Sequence, residues 1–452
     1  MILLVFCKME VVMLLEFRTS NYKSFKDELT FSLIPAPKQK GLDYSVLEEI
    51  IGKKSYKALC SAIIYGPNAS GKTNIIGAID TFKAIVLRGH IRNSDSKDNL
   101  NTAANKLELI PNIGSSISTP VEFAIKFIEK DLLIEYGFTA ELGKFLADDF
   151  DRKIIKEYLL VNETQIFDRE EELTITSSLP DIINDYLVNE YSSNSSSLIS
   201  IAKSNLHDKE LFLMNGFKTM FSAKLVSLIA NWLDNKLLVF YRADVMESKR
   251  IITDPKKKTV YIDEIIDAGA KSFGVTSNAI GFVIDDEKSE PKLSSIFNKE
   301  KIAIPAELFE SYGTIRFINM FPMVIRALLN GCTLVIDELD ASIHPMAIMN
   351  IITMFHNDEI NTQKSQLIFD THNPIFLNSN LFRRDEIKFV ERDDSAHESK
   401  HYSLSDFGTA GKSGVRKNED YMKNYFVDRY GAIKDIDFTP IFEGLLQKKE
   451  KE

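Results

Sequence analysis

CSAIIYGPNASGKTNIIGAIDTFKAIVL, residues 60–87, runs from a short apolar segment through a glycine-rich turn into residues whose apolar side chains recur at helical spacing. CSAIIY (60–65) reads as a buried strand and TNIIGAIDTFKAIVL as a helix packed on one face. Between them GPNASGKT (66–73) matches G-x-x-x-x-G-K-[ST] in the strand-to-helix context that this motif needs. The logic is electrostatic. Gly66 and Gly71 let backbone N–H groups turn inward around phosphates, and the helix N-terminus adds its positive end. Lys72 is then placed for β- and γ-phosphates and the Thr73 hydroxyl for Mg²⁺, which makes a nucleoside triphosphate with Mg²⁺ the expected ligand. Asn68, Ala69, Ser70 and Asn74 complete the loop expected to hold the nucleotide.

Outward from this loop the pattern is α/β at both ends of the chain. LLEFRTSNYKSFKDELTFSL, just after Met13, alternates apolar and polar residues on both sides of Asn21-Tyr22-Lys23-Ser24, as a hairpin does. Residues 91–118 are rich in Asn, Ser and Asp and read as a surface excursion. VEFAIKF and LLIEYGFTA form a second alternating pair. After Phe309 a helix through FINMFPMVIRALLN precedes a strand CTLVID (332–337), a helix near 345–356, and strands QLIFD (366–370) and EIKFVE (386–391).

The middle differs. Residues 151–300 read as a mixed, largely helical insert, with a Ser/Asn-rich stretch SSNSSSLIS (192–200), a charged loop DPKKKT (254–259) and no heptads long enough for coiled-coil arms. The expected division is an extension (1–12), a head lobe with the glycine-rich loop (13–150), the insert (151–300), a second head lobe (301–400) and a tail (401–452).

Composition narrows the class. The 452 residues are 44% hydrophobic and 27% charged, an ordinary globular balance. A net charge of −10 disfavours a phosphate backbone as the general partner, although local basic clusters leave nucleic acid possible. Lys256-Lys257-Lys258, Arg383-Arg384 and the tail lysines read as solvated surface. Cys7, Cys60 and Cys332 share no close spacing, and they read as small buried side chains in a reducing compartment rather than as a disulfide or metal set. Lys8 and Glu10 break the N-terminal apolar run before it could span a bilayer, so no membrane segment and a cytoplasmic location are expected.

A phosphate loop alone leaves GTPases, kinases and many ATPases open. TLVIDELDASIHP (333–345) narrows the field: an apolar strand ends in Asp337, placed to hold Mg²⁺, followed by Glu338, placed to polarise an attacking water. THNP (371–374) follows the next strand and puts His372 at the same edge of a parallel sheet, within reach of a γ-phosphate.

With these motifs in order, the chain resembles the ABC-type ATPases, in the branch that contains SMC proteins, RecF and the OLD-like nucleases. The resemblance makes NYKSF (21–25), with Lys23 and Ser24, the N-terminal hairpin motif. It makes DELDASIHP the Walker B segment and its following loop, and His372 the switch histidine. ESYGTIRF (310–317) resembles the signature, with Ser311 and Gly313 at the matching places. No glutamine matches the family's Q-loop in PVEFAIKF (120–127). What this implies is a P-loop head with a mixed sheet and N-terminal antiparallel hairpins, which pairs head to head with a second copy of itself. ATP bound at Lys72 of one subunit would be closed over by Ser311 and Gly313 of the other.

From residue 13 to about 435 the chain is further similar to compact, arm-less bacterial ATPases of anti-phage defence, a group that includes RloA, AbiLi, the Septu ATPase PtuA and the PARIS ATPase. That similarity implies a sensor or regulatory subunit controlling a separate effector, such as a Toprim-like, HNH or RloB-like nuclease. The alternative is a RecF- or SMC-like repair ATPase acting directly on DNA.

Overall fold

A computed structural model describes residues 12–37, 39, 41–92, 109–114, 119–143, 151–189, 191–241, 259–284, 291–299, 302–393, 395–409, 414–434 and 436–449. Residues 1–11, most of the expected excursion at 91–118 and nearly all of the DPKKKT loop lie outside these.

The chain opens with the antiparallel pair β1 (Met13–Ser20) and β2 (Leu29–Ser32), as the alternation predicts. A second hairpin, β3 (Val46–Ile51) with β4 (Lys54–Leu59), leads into β5 (Ser61–Tyr65), the glycine-rich loop and α1 (Lys72–Arg88). A meander follows, made of β6 (Val121–Glu129), β7 (Leu132–Glu141), β8 (Lys153–Val161), β9 (Thr164–Arg169) and β10 (Leu173–Ile175). With β1 and β2 it forms a seven-stranded antiparallel sheet, ordered β10-β9-β8-β7-β6-β1-β2.

Helices α2 (Tyr191–Ser204) and α3 (Ala223–Asn231) then lead to β11 (Leu237–Phe240). A small sheet is built from β12 (Thr259–Ile262), β13 (Ala279–Ile284), β14 (Lys292–Phe297) and β15 (Ile302–Pro305), with α4 (Glu264–Phe273) packed on β13. The last third holds α5 (Tyr312–Asn330), β16 (Thr333–Ile336), α6 (Pro345–Phe355), β17 (Gln366–Asp370), β18 (Ile387–Asp393), β19 (Glu398–Ser403), α7 (Tyr421–Phe426) and α8 (Thr439–Lys449). A second large sheet runs β11-β16-β17-β5-β18-β19, parallel except for β19. The fold is thus an α/β head with mixed sheets and antiparallel hairpins.

Between the two large sheets lies α1. Its buried Ile75, Ile76, Ile79, Phe82, Ile85 and Val86 join one core with Phe17, Phe123 and Phe138 of the antiparallel sheet and Val335 and Ile368 of the parallel one. Phe82 stacks on Phe138 at 5.7 Å and meets Phe17 edge-on at 5.9 Å, so Phe82→Ala would cost about 3–5 kcal/mol. The buried Gln366 side chain ties the sheets together at the start of β17. It accepts from Leu14 N (2.6 Å) and donates to the Leu14 and Leu59 carbonyls (3.0 and 2.9 Å).

The Ser/Asn-rich stretch 192–200 lies within α2: Tyr191 and Ala202 are buried and Leu198 and Ile199 pack on the core, and this apolar face outweighs the weak helix preference of the serines. The expected domain bounds need correction. The middle of the chain is not one insert, because β8–β10 extend the antiparallel sheet and β11 pairs with β16. Nor does 400 divide head from tail: β19 crosses it as the sheet's edge strand, and Tyr421, Tyr425 and Tyr430 are buried in the core beneath. Val12, placed in the extension, is itself buried. No described helix is long and apolar enough to cross a membrane.

Candidate functional site

Parallel strands carry their C-terminal ends to one edge, and the strand order decides what meets there. β17 lies between β5 and β16, so the residues that end it stand between the glycine-rich loop and Asp337-Glu338. The loop bends sharply. Ala69 (φ 63°) and Gly71 (φ 111°) both take left-handed backbone, and a Cβ on Gly71 would stand 2.6 Å from Ser24 Oγ and 2.8 Å from Ser399 Oγ. Lys72 opens α1 and is buried. Its ammonium donates to the Gly66 carbonyl (2.9 Å) and to Nε2 of His372 (3.1 Å), so that imidazole nitrogen carries a lone pair here. Burial lowers the Lys72 pKa, opposed by Asp370, Asp337, Glu338 and Asp340. Burial, then the Lys72 charge, lowers that of His372. Lys72, Asp337, Glu338 and His372 therefore converge as the sequence predicts.

Asp370, which ends β17, is the residue that sequence reasoning passed over. Burial and the neighbouring Asp337 carboxylate raise its pKa well above the usual carboxylate range. Its Oδ1 accepts from Glu338 N (2.6 Å), while its buried Oδ2 has no hydrogen-bonding partner among the described residues. Glu338 sits in left-handed backbone (φ 50°), held from the other side by Arg316 Nη2, which donates to its carbonyl at 2.6 Å. The strand ending in Asp could have pointed to Asp370, since TLVID and QLIFD share that pattern. Nothing in the sequence marks Arg316.

The remaining expected residues frame the loop. Ser24 Oγ accepts from Asn74 Nδ2 (2.8 Å), and Ser399 ties the Ser24 carbonyl to the Ser70 carbonyl (2.7 and 2.6 Å). Lys23, also left-handed (φ 50°), points at the Tyr241 hydroxyl (3.2 Å). Asn68 and Ala69 are exposed, whereas Thr73 and Asn74 are half-buried. Ser311 is the exposed N-cap of α5, its Oγ accepting from Thr314 N at 3.1 Å. A Cβ on Gly313 would stand 2.2 Å from the Ser342 carbonyl oxygen, so α5 starts in direct contact with the loop after Asp337-Glu338. Among the described residues no hydrogen bond joins Ser311 or Gly313 to the glycine-rich loop of their own chain.

These residues fit a nucleotide with a divalent cation. The adjacent buried carboxylates Asp337 and Asp370, one with an unpartnered oxygen, provide a hard oxygen site beside Lys72 and Thr73. The left-handed loop and the start of α1 provide the anion cradle.

Arg383 and Arg384, read as solvated, are buried. Arg383 pairs with Asp385 through two 2.9 Å bonds, and Arg384 binds the Val415 carbonyl and Gln39 (3.1 Å). Paired arginines inside the head offer no basic groove.

A family model described as "AAA domain, putative AbiEii toxin, Type IV TA system" matches residues 61–378. No curated protein is detectably similar to the chain in sequence. Among solved structures, an SMC head bound to the C-terminal winged-helix domain of ScpA is 14% identical with TM-score 0.39, covering 86% of this chain and 97% of that one. The Smc head of Pyrococcus furiosus with an extended coiled coil, bound to the C-terminal domain of ScpA, gives 14% identity, TM-score 0.40 and 87% and 96% coverage. The SMC head domain from Thermotoga maritima gives 11%, 0.35, 86% and 98%. With the family match spanning more than half its length and a phosphate-loop site built at the edge of its parallel sheet, this chain belongs to the AAA_21 family of P-loop ATPases.

Proposed function

We propose that the chain binds ATP with Mg²⁺ and hydrolyses it, as the regulatory subunit of an anti-phage defence system that controls a separate effector. The observation that carries the hydrolytic half is the convergence of Lys72, Asp337, Asp370, Glu338 and His372 at one sheet edge. Asp337 and Thr73 would hold the cation, with Asp370 beside them, and the cation would neutralise phosphate charge. Lys72 meets the β/γ-phosphates, Glu338 polarises the attacking water, and His372 contacts the γ-phosphate. Ser311 and Gly313, exposed or half-exposed and unbonded to their own loop, serve the site of a second copy.

The regulatory half rests on the compact, arm-less head and on the resemblance to defence ATPases. The pairing of Arg383 and Arg384 inside the protein removes one basic cluster that a DNA-acting alternative would use. Expression of the chain with its neighbouring genes should reduce phage plating, and Lys72→Ala should abolish that protection. Protection that survives Lys72→Ala overturns the link between ATP and defence. ATP turnover by the purified chain at no more than background overturns the hydrolytic half.

A further inference from the structure

Below the nucleotide edge, at the opposite end of the parallel sheet, three separate segments bring unlike side chains together. Cys60 immediately precedes β5, His356 caps the end of α6, and Glu386 immediately precedes β18. All three are buried, and one potential ligand atom from each lies within 4.8 Å of the others. Nε2 of His356 is 3.2 Å from Oε1 of Glu386. Ser61 Oγ touches both, at 2.9 Å from the imidazole nitrogen and 2.7 Å from the carboxylate oxygen.

The charge balance of this cluster is incomplete as a plain hydrogen-bonded core. Glu386 is fully buried, and among the described residues only His356 lies within ion-pair distance of it. Arg383, the nearest guanidinium in sequence, hydrogen-bonds Asp385; it bonds Glu386 only through its backbone N–H, at 2.7 Å, and its charge acts on that carboxylate from beyond ion-pair distance. A carboxylate taken out of water needs a positive partner. Cys60 adds a second latent negative charge. A bound divalent cation would draw its proton off.

We propose that Cys60, His356 and Glu386 form a structural zinc site, with the Ser61 hydroxyl as the fourth donor. A divalent cation bound by one thiolate, one carboxylate and a neutral imidazole leaves the buried site with no net charge. The sulfur, nitrogen and oxygen set is that of zinc rather than of magnesium or calcium. Bonds of about 2.0–2.3 Å in a tetrahedron put ligand atoms about 3.4 Å apart. The imidazole–carboxylate pair stands at 3.2 Å, whereas Ser61 Oγ, now hydrogen-bonded at 2.7 and 2.9 Å, would draw back by roughly half an ångström to become a ligand. Closing the thiol onto the same centre is a side-chain adjustment, not a change of fold. The rings of Phe382 and Tyr44, each 5.8 Å from the imidazole, hold it in place. The site would staple the start of the strand that enters the phosphate loop to the end of α6 and the start of β18. It lies on the edge remote from the nucleotide, so its role is to hold the sheet rather than to act in hydrolysis.

The test is metal content of the full chain, expressed in zinc-supplemented medium without a polyhistidine tag and purified without chelators. About one zinc per chain should survive dialysis, as it does for structural sites. Replacement by Co²⁺ should give the near-ultraviolet charge-transfer band of a cobalt–thiolate bond. Cys60→Ser should abolish that band and Cys332→Ser should keep it, since Cys332 immediately precedes β16, on the other side of β17, and its thiol is not one of the cluster's ligand atoms. Ser61→Ala should weaken retention while leaving the band. Wild-type protein that carries no zinc and, after addition of Zn²⁺ or Co²⁺, neither binds it nor gains thermal stability overturns the proposal, whatever the variants do. A cobalt–thiolate band that persists in folded Cys60→Ser does so too.

Discussion

Arg316→Met tests how Glu338 is held. The residue occupies left-handed backbone, which costs a side-chain-bearing residue about 1–2 kcal/mol. Two short bonds offset that cost: Asp370 on its N–H and the Arg316 guanidinium on its carbonyl, both at 2.6 Å. The bond from the charged guanidinium is worth about 1.5–3 kcal/mol. Methionine replaces the aliphatic stem of the arginine, but it is shorter and cannot donate. One bond then opposes the strain, and Glu338 samples other backbone states. Loss of about 1.5–3 kcal/mol of positioning corresponds to a roughly 10- to 150-fold fall in kcat. ATP affinity should change by less than about twofold, because the phosphate loop is untouched. Phosphate release at saturating ATP gives kcat, calorimetry gives affinity, and a thermal melt checks folding. A kcat within about threefold of wild type in folded protein would refute the claim that the Arg316 bond sets the Glu338 conformation.

Other outcomes follow from the same geometry. Glu338→Gln should bind ATP normally and hydrolyse it about 10²–10⁴-fold more slowly, and near-normal turnover would remove Glu338 from the role of base. Lys72→Ala should lose nucleotide binding and Ser311→Arg should lose only hydrolysis, yet mixing the two should restore some activity through one composite site per pair. Mixed pairs that stay inactive despite free subunit exchange would count against the signature assignment. His401, pushed down to about 3 by burial and by Lys388, stays neutral while its unfolded counterpart takes up a proton below 6.5. Stability should therefore fall as pH drops from about 6.5 toward about 3, and His401→Gln should flatten that fall in urea titrations; equal slopes would refute it.

The phosphate loop, the two acidic residues ending TLVIDE and the histidine of THNP are legible because each follows an apolar strand, a local pattern with a local cause. β1 with β2 and β6 with β7 are legible for the same reason, alternation being fixed by the pleat. What was hidden depends on strand order. No local pattern says that β17 lies between β5 and β16, and from that placement come the pairing of Asp370 with Asp337 and the reach of Lys72 to His372. α2 was hidden because its apolar face rests on a core built by segments far away in sequence. Arg383 and Arg384 look like surface charge until Asp385 and the Val415 carbonyl are brought to them. Cys60, His356 and Glu386 meet only once β5, α6 and β18 are assembled.

The bare backbone contact of Gly313 against Ser342 has a mechanical consequence. A hydrogen bond stretches and re-forms over several tenths of an ångström, whereas two backbones in steric contact have almost no compliance. A push on the first turn of α5 thus reaches the loop that follows Glu338 without backlash. With Arg316 as a second tie from the same helix, that turn and the hydrolytic loop behave as one stiff lever. Glycine at 313 is thus required to keep this joint tight. A methyl group there would wedge the lever open in every copy, so Gly313→Ala would act as a fault in timing even where each separate site is chemically whole.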